Sequence, residues 1–118
     1  MSVEHHDTVL AATSHLPHLL AYALVDMLAR LDDKNEIFAY AAGGFRDFTR
    51  IASSDPVMWR DISLANREAI VRLLKQYRGE VDSLIKAVTA GEGEKLYTLF
   101  ARAKAARDAL AANDQKKE

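Results

Sequence analysis

Apolar residues recur at steps of three and four through most of the chain, the spacing that places side chains on one face of an α-helix. The first such segment runs from about His6 to about Leu31. Its apolar face is broad enough to leave little room for solvent, so we expect this helix to be central to the fold or to a subunit contact. The stripe consists of Val9, Ala12, Leu16, Leu19, Leu20, Ala23, Leu24, Met27 and Leu31.

Pro17 interrupts this first helical pattern. Proline has no N–H to donate to the carbonyl of Thr13 and its ring crowds that carbonyl, at a cost of roughly 3 kcal/mol in a helix interior. We therefore expect a bend beside His15 and His18.

Shorter elements follow a polar break at residues 32–35. Residues 36–42 are predicted to form a short helix that Gly43-Gly44 stops, and residues 45–52 to form another. Asp55 followed by Pro56 is a strong start signal, with the aspartate as the cap and the proline at the first helical position.

The second half of the chain predicts two more helices. A long amphipathic helix should run from Ile62 to Val88, with a kink near Asn66, and stop at residues 91–93. A last helix carries apolar residues from Leu96 to Leu110, and residues 113–118 are expected to be a disordered polar tail. With only 5 Gly and 2 Pro in 118 residues, we predict an all-α fold, a single domain over residues 1–112.

The amino-acid composition indicates which kinds of partner the protein can have and in which compartment it is expected. The 16 Lys and Arg against 17 Asp and Glu give a net charge of -1, so we expect neither nucleic acid nor an anionic membrane surface as a partner. The absence of Cys excludes a disulfide framework and a thiol nucleophile and fits the cytoplasm. The start of the chain lacks a basic segment followed by an apolar run, so we expect the protein to be neither secreted nor membrane-spanning.

His15 and His18 lie three residues apart and therefore on one helical face. A metal pair would require further imidazole or carboxylate ligands, and none stands at a diagnostic spacing. Histidines that are hydrogen-bonded within a helix packing, and histidines that line a polar pocket, both fit the spacing.

A second polar cluster directly follows the double glycine. Arg46, Asp47 and Arg50 would share a helical face, which suits an arginine held by an aspartate for carboxylate binding and equally suits a solvated salt-bridge network. Trp59, the sole tryptophan, could be a core anchor or a pocket wall. The sequence carries no Gly-x-Gly-x-x-Gly, phosphate loop or nucleophile elbow, so no residues of this chain are predicted to hold a dinucleotide.

Three motifs resemble the C-terminal domain of the prephenate/arogenate dehydrogenase family. They are Ser14-His-Leu-Pro-His18, Gly43-Gly-Phe-Arg-Asp-Phe-Thr-Arg50 and Asp55-Pro-Val-Met-Trp59, in the family's order. The resemblance implies an entwined helical dimerisation domain. It also implies an enzyme that oxidatively decarboxylates prephenate (or arogenate), yielding 4-hydroxyphenylpyruvate from prephenate, with NAD or NADP, in tyrosine biosynthesis. The nicotinamide-binding Rossmann domain and the catalytic histidine are expected outside this chain, which we expect to be inactive alone.

The resemblance also assigns roles within this chain. Arg50 would bind the ring carboxylate of the substrate, and His15 and His18 would line the pocket near its side chain. Asp47 would set an ion-pair network across the interface of a homodimer. Trp59 and Gly43 would border the pocket, and no metal or catalytic group is expected in this chain. The competing hypothesis is a non-catalytic helical interaction module that retains the fold alone.

Overall fold

The computed structural model describes the backbone of residues 1–117 and the side chains of residues 1–113. All regular secondary structure in that part of the chain is helical, which confirms the all-α prediction. The chain divides into two compact units, Met1–Gln76 and Tyr77–Glu118. The elements in chain order are α1 (Val3–Leu10), a π-helical turn (Ala11–His15), α2 (Leu16–Ala29), α3 (Lys34–Ala39), α4 (Gly43–Thr49), a 3-10 turn (Arg50–Ser53), α5 (Pro56–Ala65), α6 (Arg67–Thr89) and α7 (Gly93–Lys117).

A π-helical turn lies just before Pro17, where the sequence predicts a bend. Helix runs without a gap from Val3 to Ala29, but at Ala11–His15 it widens, and the N–H of Leu16 donates to the carbonyl of Ala11. Proline supplies no N–H, so one carbonyl of the preceding turn loses its donor. The wider turn changes which carbonyl this is, and the helix continues through it.

The double glycine begins a helix, and its expected role as a stop is wrong. α3 ends earlier, at Ala39, and Ala42 is extended (φ -98°, ψ -179°) before α4 starts at Gly43. Neither Gly43 nor Gly44 has positive φ. The stop arises because Tyr40 N–H folds back onto carbonyls of the last α3 turn, as at many frayed helix ends.

The predicted start of α5 is confirmed, whereas the long helix predicted from Ile62 begins only at Arg67. Asp55 Oδ1 accepts a hydrogen bond from Val57 N–H at 3.0 Å, with Pro56 at the first helical position. At the other end the predicted kink is a full break, because Asn66 leaves helical geometry (φ -113°, ψ 39°) and α6 restarts at Arg67.

The first unit is packed around small side chains. Ala11 and Ala21 are fully buried and Ile70 is 3% exposed. Ala11 of the π-helical turn clusters with Ala69 and Ile70 at the start of α6, and Leu19, Leu73 and Leu74 pack against this cluster. α2 also packs against α4 and the 3-10 turn. Tyr22 Oη donates to the carbonyl of Ser54 at 2.7 Å and ties α2 to the start of α5.

The second unit consists of the last part of α6 and α7. The turn between them contains Gly91 at φ 65°, a conformation that favours glycine, which confirms the predicted stop. Ala87 is buried, whereas Ile85, Val88 and Phe100 are 58%, 64% and 57% exposed. The backbone of residues 113–117 continues α7, and the rest of the predicted tail, the side chains of residues 114–118 and Glu118 itself, lies outside the described residues.

The helix Val3–Ala29 is long and apolar enough, by length and composition, to cross a membrane, with a mean hydropathy of 1.3 over its most apolar window. Only 11% of that window is buried within one chain. Core helices of soluble proteins pass the same test, and this helix contains Pro17 and packs polar side chains against α5.

Candidate functional site

Two histidines and the tryptophan meet in the first unit. The imidazole of His18 stacks on the indole of Trp59, with ring centroids 3.9 Å apart and planes 15° from parallel. The imidazole of His15 meets the same indole edge-on, at 6.0 Å and 79°. Trp59 therefore contacts both rings. Both histidines are also hydrogen-bonded within the helix packing, and their role in lining a pocket stays a prediction.

Each ring nitrogen of His18 has a defined role. Nδ1 lies 2.8 Å from the carbonyl oxygen of Ser14, four residues back. A carbonyl only accepts, so Nδ1 carries the proton and donates. In the neutral ring this leaves Nε2, on the opposite edge of the imidazole, as an acceptor.

His15 is held from the other side of the site. Its Nδ1 lies 3.3 Å from Nδ2 of Asn66, and the same amide nitrogen donates to the carbonyl of Asp7 at 2.8 Å. Burial is the largest cause that lowers the pKa of His15 below 6.5, and the neighbouring His18 lowers it further, while Asp7 acts in the opposite direction. His15 is thus predominantly neutral at pH 7.

Trp59 is both core and wall. It is 7% exposed, and within the described part of the chain its buried Nε1–H has no hydrogen-bond partner. A shallow groove of about 230 Å³ runs beside it, lined by Leu19, Tyr22, Pro56, Arg60 and Ser63. A buried donor without an acceptor is costly, by roughly 1–3 kcal/mol, so such groups need an explanation in a native fold.

The Gly43 to Arg50 segment lies on exposed surface. Arg50 opens the 3-10 turn, whose backbone packs against α2, the helix that carries His18. The side chains of Arg50 and Asp47 are exposed, and among the residues described no salt bridge joins Asp47 to Arg46 or Arg50. Arg46 Nε instead donates to the carbonyl of Ala41 at 3.2 Å. Gly43 is exposed in the first turn of α4, with open space where a Cβ would stand.

One residue of the site was missed by the sequence reasoning. The sequence predicts only a kink near Asn66, yet the side-chain nitrogen of this residue lies 3.3 Å from Nδ1 of His15, which is 51 residues away in the chain. A polar residue with short side chain at a helix break is the one signal that could have suggested a side-chain contact there. Among the side chains that the structure describes, no group of three His, Asp or Glu stands close enough together to hold a metal ion.

The all-helical first unit thus groups His15 and His18 beside Trp59, and Arg50 opens a turn that packs against the helix carrying His18. Residues 2–102 match the model of the prephenate dehydrogenase dimerisation domain, and the chain belongs to this family.

Curated relatives agree with this assignment. The chain is 43% identical over 112 residues to cyclohexadienyl dehydrogenase of Zymomonas mobilis and 41% identical over 111 residues to prephenate dehydrogenase of Bacillus subtilis. The alignments cover 93% of this chain but only 38% and 30% of those proteins. This chain therefore corresponds to well under half the length of either relative.

Solved structures share the fold. Prephenate dehydrogenase of A. aeolicus, in a complex with hydroxyphenyl propionate and NAD+, superposes with a TM-score of 0.85 at 40% identity, over 93% of this chain and 39% of that one. Arogenate dehydrogenase of Synechocystis gives a TM-score of 0.86 at 27% identity, over 92% of this chain and 40% of that one.

Proposed function

We propose that this chain supplies the dimer interface and part of the substrate pocket of a prephenate or arogenate dehydrogenase. The observation that carries the proposal is the meeting of His15 and His18 on Trp59, because all three stand in the motifs that resemble the family. The A. aeolicus neighbour holds a phenolic carboxylate together with NAD+, a ligand chemistry that suits this reaction.

The proposed reaction is an oxidative decarboxylation. The carbon that bears the ring hydroxyl would give a hydride to the nicotinamide, and the ring carboxylate would leave as carbon dioxide. The electron pair of the broken carbon–carboxylate bond would make the ring aromatic, and the hydroxyl would remain as the phenol. Since this sequence has no dinucleotide-binding glycine motif, NAD or NADP would be held by a separate nucleotide-binding domain. The residues described here would bind and orient the substrate and exclude water.

Arg50 is the proposed partner of the ring carboxylate. A planar guanidinium binds a carboxylate through two parallel hydrogen bonds, and the exposed side chain of Arg50 is open to such a ligand. Asp47, one turn earlier, would take part in an ion-pair network that includes groups of a second protomer. Gly43 would border the pocket, where its lack of a side chain leaves room for a ligand.

His15 and His18 would bind the side chain of the substrate. Their rings are fixed by Trp59, so they lose little conformational freedom when a ligand binds. A side-chain carboxylate or keto group accepts hydrogen bonds, which requires at least one ring to present an N–H.

A homodimer would cover the apolar surface that one chain leaves open. The most apolar stretch of the helix Val3–Ala29, with a mean hydropathy of 1.3, is only 11% buried within one chain. In the second unit Ile85, Val88 and Phe100 are exposed. Apolar surface of this extent is uncommon on soluble monomers. Sedimentation equilibrium at micromolar concentration should give twice the 13.1 kDa chain mass, and a single species at 13.1 kDa would contradict the proposal.

A chimera tests the enzymatic part of the proposal. This chain would replace the matching region of the Zymomonas mobilis relative, and reduction of NAD or NADP would be followed with prephenate and with arogenate. We expect turnover of at least one substrate, with the unaltered relative as the control. A chimera that is folded, dimeric and able to bind nucleotide, yet turns over neither substrate, would favour the non-catalytic interaction module.

A further inference from the structure

Asn66 contacts the site from a position where the helix is broken. Its backbone (φ -113°, ψ 39°) separates α5 from α6, and its half-buried side chain extends towards α1 and the π-helical turn. The amide nitrogen Nδ2 lies 2.8 Å from the carbonyl oxygen of Asp7 and 3.3 Å from Nδ1 of His15. An NH2 group has two hydrogens, so it can serve both acceptors at once.

The orientation of this amide follows from its neighbours. The carbonyl of Asp7 can only accept, so an amide oxygen turned towards it would set two acceptors 2.8 Å apart. The NH2 group must therefore face Asp7, and it then also faces His15. A ring nitrogen that receives a hydrogen from this donor has to be unprotonated, because two N–H groups facing each other would repel.

We propose that Asn66 is a positioning residue that holds His15 in the tautomer with its proton on Nε2. The free edge of the ring then presents an N–H donor. If the proposed function is right, that donor meets an oxygen of the substrate's side chain, so this step of the inference rests on the proposed function while the tautomer itself does not.

His18 is held in the opposite way. Its Nδ1–H donates to the carbonyl of Ser14, which leaves an acceptor at Nε2 when the ring is neutral. Of the two imidazoles on Trp59, His15 therefore offers a donor and His18 an acceptor, in both cases at Nε2. Each tautomer is selected by the hydrogen bond that the ring makes at Nδ1. A ligand group that only accepts would bind the His15 side of the site.

A purely structural role for Asn66 makes a different prediction. If the amide only ties the helix break to the carbonyl of Asp7, its loss would change stability but would leave the His15 proton where it is. Exchange of the amide for a carboxylate separates the two readings, because a carboxylate accepts from His15 instead of donating to it.

Nitrogen NMR of histidine-labelled protein measures the tautomer directly on the chain itself. At pH 8, unprotonated and protonated ring nitrogens differ widely in 15N shift, and the His15 signals are those lost in His15→Gln. In the wild type we expect His15 Nδ1 to be unprotonated and Nε2 protonated, with the reverse in His18. In Asn66→Asp we expect the His15 proton to move to Nδ1, and in Asn66→Ala we expect a mixture of the two tautomers.

The control is Asn35→Asp, which makes the same change of charge at an exposed position in α3 and should leave both tautomers unchanged. A wild-type spectrum with the His15 proton on Nδ1 would overturn the proposal without any variant. So would an Asn66→Asp spectrum, from protein with wild-type circular dichroism, in which the proton stays on Nε2. Neither result bears on whether the chain serves a dehydrogenase, which the chimera decides.

Discussion

Replacement of Trp59 by alanine should destabilise the first unit far more than any other single truncation in α5. An aromatic side chain buries about 150–250 Å², and Trp59 is 7% exposed, so nearly all of that area is out of water. At about 25 cal/mol per Å² the lost burial is worth roughly 3.5–6 kcal/mol, an upper estimate because unfolded chains already bury part of their apolar surface. We therefore expect a loss of about 3–5 kcal/mol, the range usual for Trp→Ala in cores.

Phenylalanine at the same position should cost much less, about 1–2 kcal/mol. The ring face that stacks on His18 is kept, and only part of the volume is lost. The indole Nε1–H has no partner among the described residues, so its removal leaves no acceptor unsatisfied. If Trp59→Phe costs as much as Trp59→Ala, then the N–H does have a partner, such as bound water or a second protomer.

Urea unfolding followed by circular dichroism at 222 nm measures these effects. Fluorescence is unsuitable because Trp59 is the sole tryptophan. Protein concentration must be equal for all variants, since a dimer's stability depends on it. Asp61→Ala, which removes an exposed α5 side chain paired with Arg60, is the control and should cost less than ~1 kcal/mol. A Trp59→Ala value within about 1 kcal/mol of wild type, at an equal m-value, would refute the reasoning.

Three further predictions concern substrate binding, helix capping and pH. Arg50→Ala in the chimera should raise KM by roughly tenfold to a few hundredfold, the equivalent of losing a charge-assisted pair of about 1.5–3 kcal/mol, with a smaller change in kcat. Arg50→Lys should recover part of the lost affinity, and Arg46→Ala should leave KM unchanged. A folded Arg50→Ala variant whose KM is within about twofold of the wild type would exclude the role. Asp55→Ala should lower stability in urea by about 0.5–2 kcal/mol through loss of the Val57 bond, and a loss no larger than that of Asp61→Ala would contradict the capping role. The pKa of His15 is lowered in the fold, where His18 and Asp7 are the charged groups that act on it, so the unfolded chain takes up this proton first as the pH falls. His15 should therefore lower the free energy of unfolding as the pH falls below about 6.5 and have no such effect above it. Stability in urea from pH 8 to 5 should fall less steeply in His15→Gln than in the wild type, and parallel profiles would refute this.

The helices could be predicted where local chemistry decides them. Asp55 and Pro56 specify a cap and a first turn with little help from tertiary contacts, and Gly91 adopts the positive φ that ends α6. The prediction that the double glycine at residues 43–44 stops a helix is wrong because glycine is found at both ends of helices. Its role is decided by the extended residue Ala42 before it, which the sequence does not reveal.

The site could be predicted only in part. Residues 15 and 18 share a face by spacing alone, but their packing on Trp59 joins helices that are far apart in the chain. The π-helical turn leaves no mark on an apolar pattern with steps of three and four, because it shifts the register by a single residue. The binding roles of Arg50 and Asp47 stay predictions, and the chain's own fold leaves both side chains exposed.

His15, Asn66 and Arg50 stand where the regular α-helix is interrupted. In the π-helical turn just before Pro17, the carbonyl of Ser14 accepts a hydrogen bond from the imidazole of His18. At the break after α5, Asn66 leaves helical geometry and its amide reaches Asp7 and His15. Arg50 likewise opens a 3-10 turn between α4 and α5. A change that restored regular helix at one of these places, such as Pro17→Ala, would therefore be expected to disturb ring orientation before it disturbs the fold.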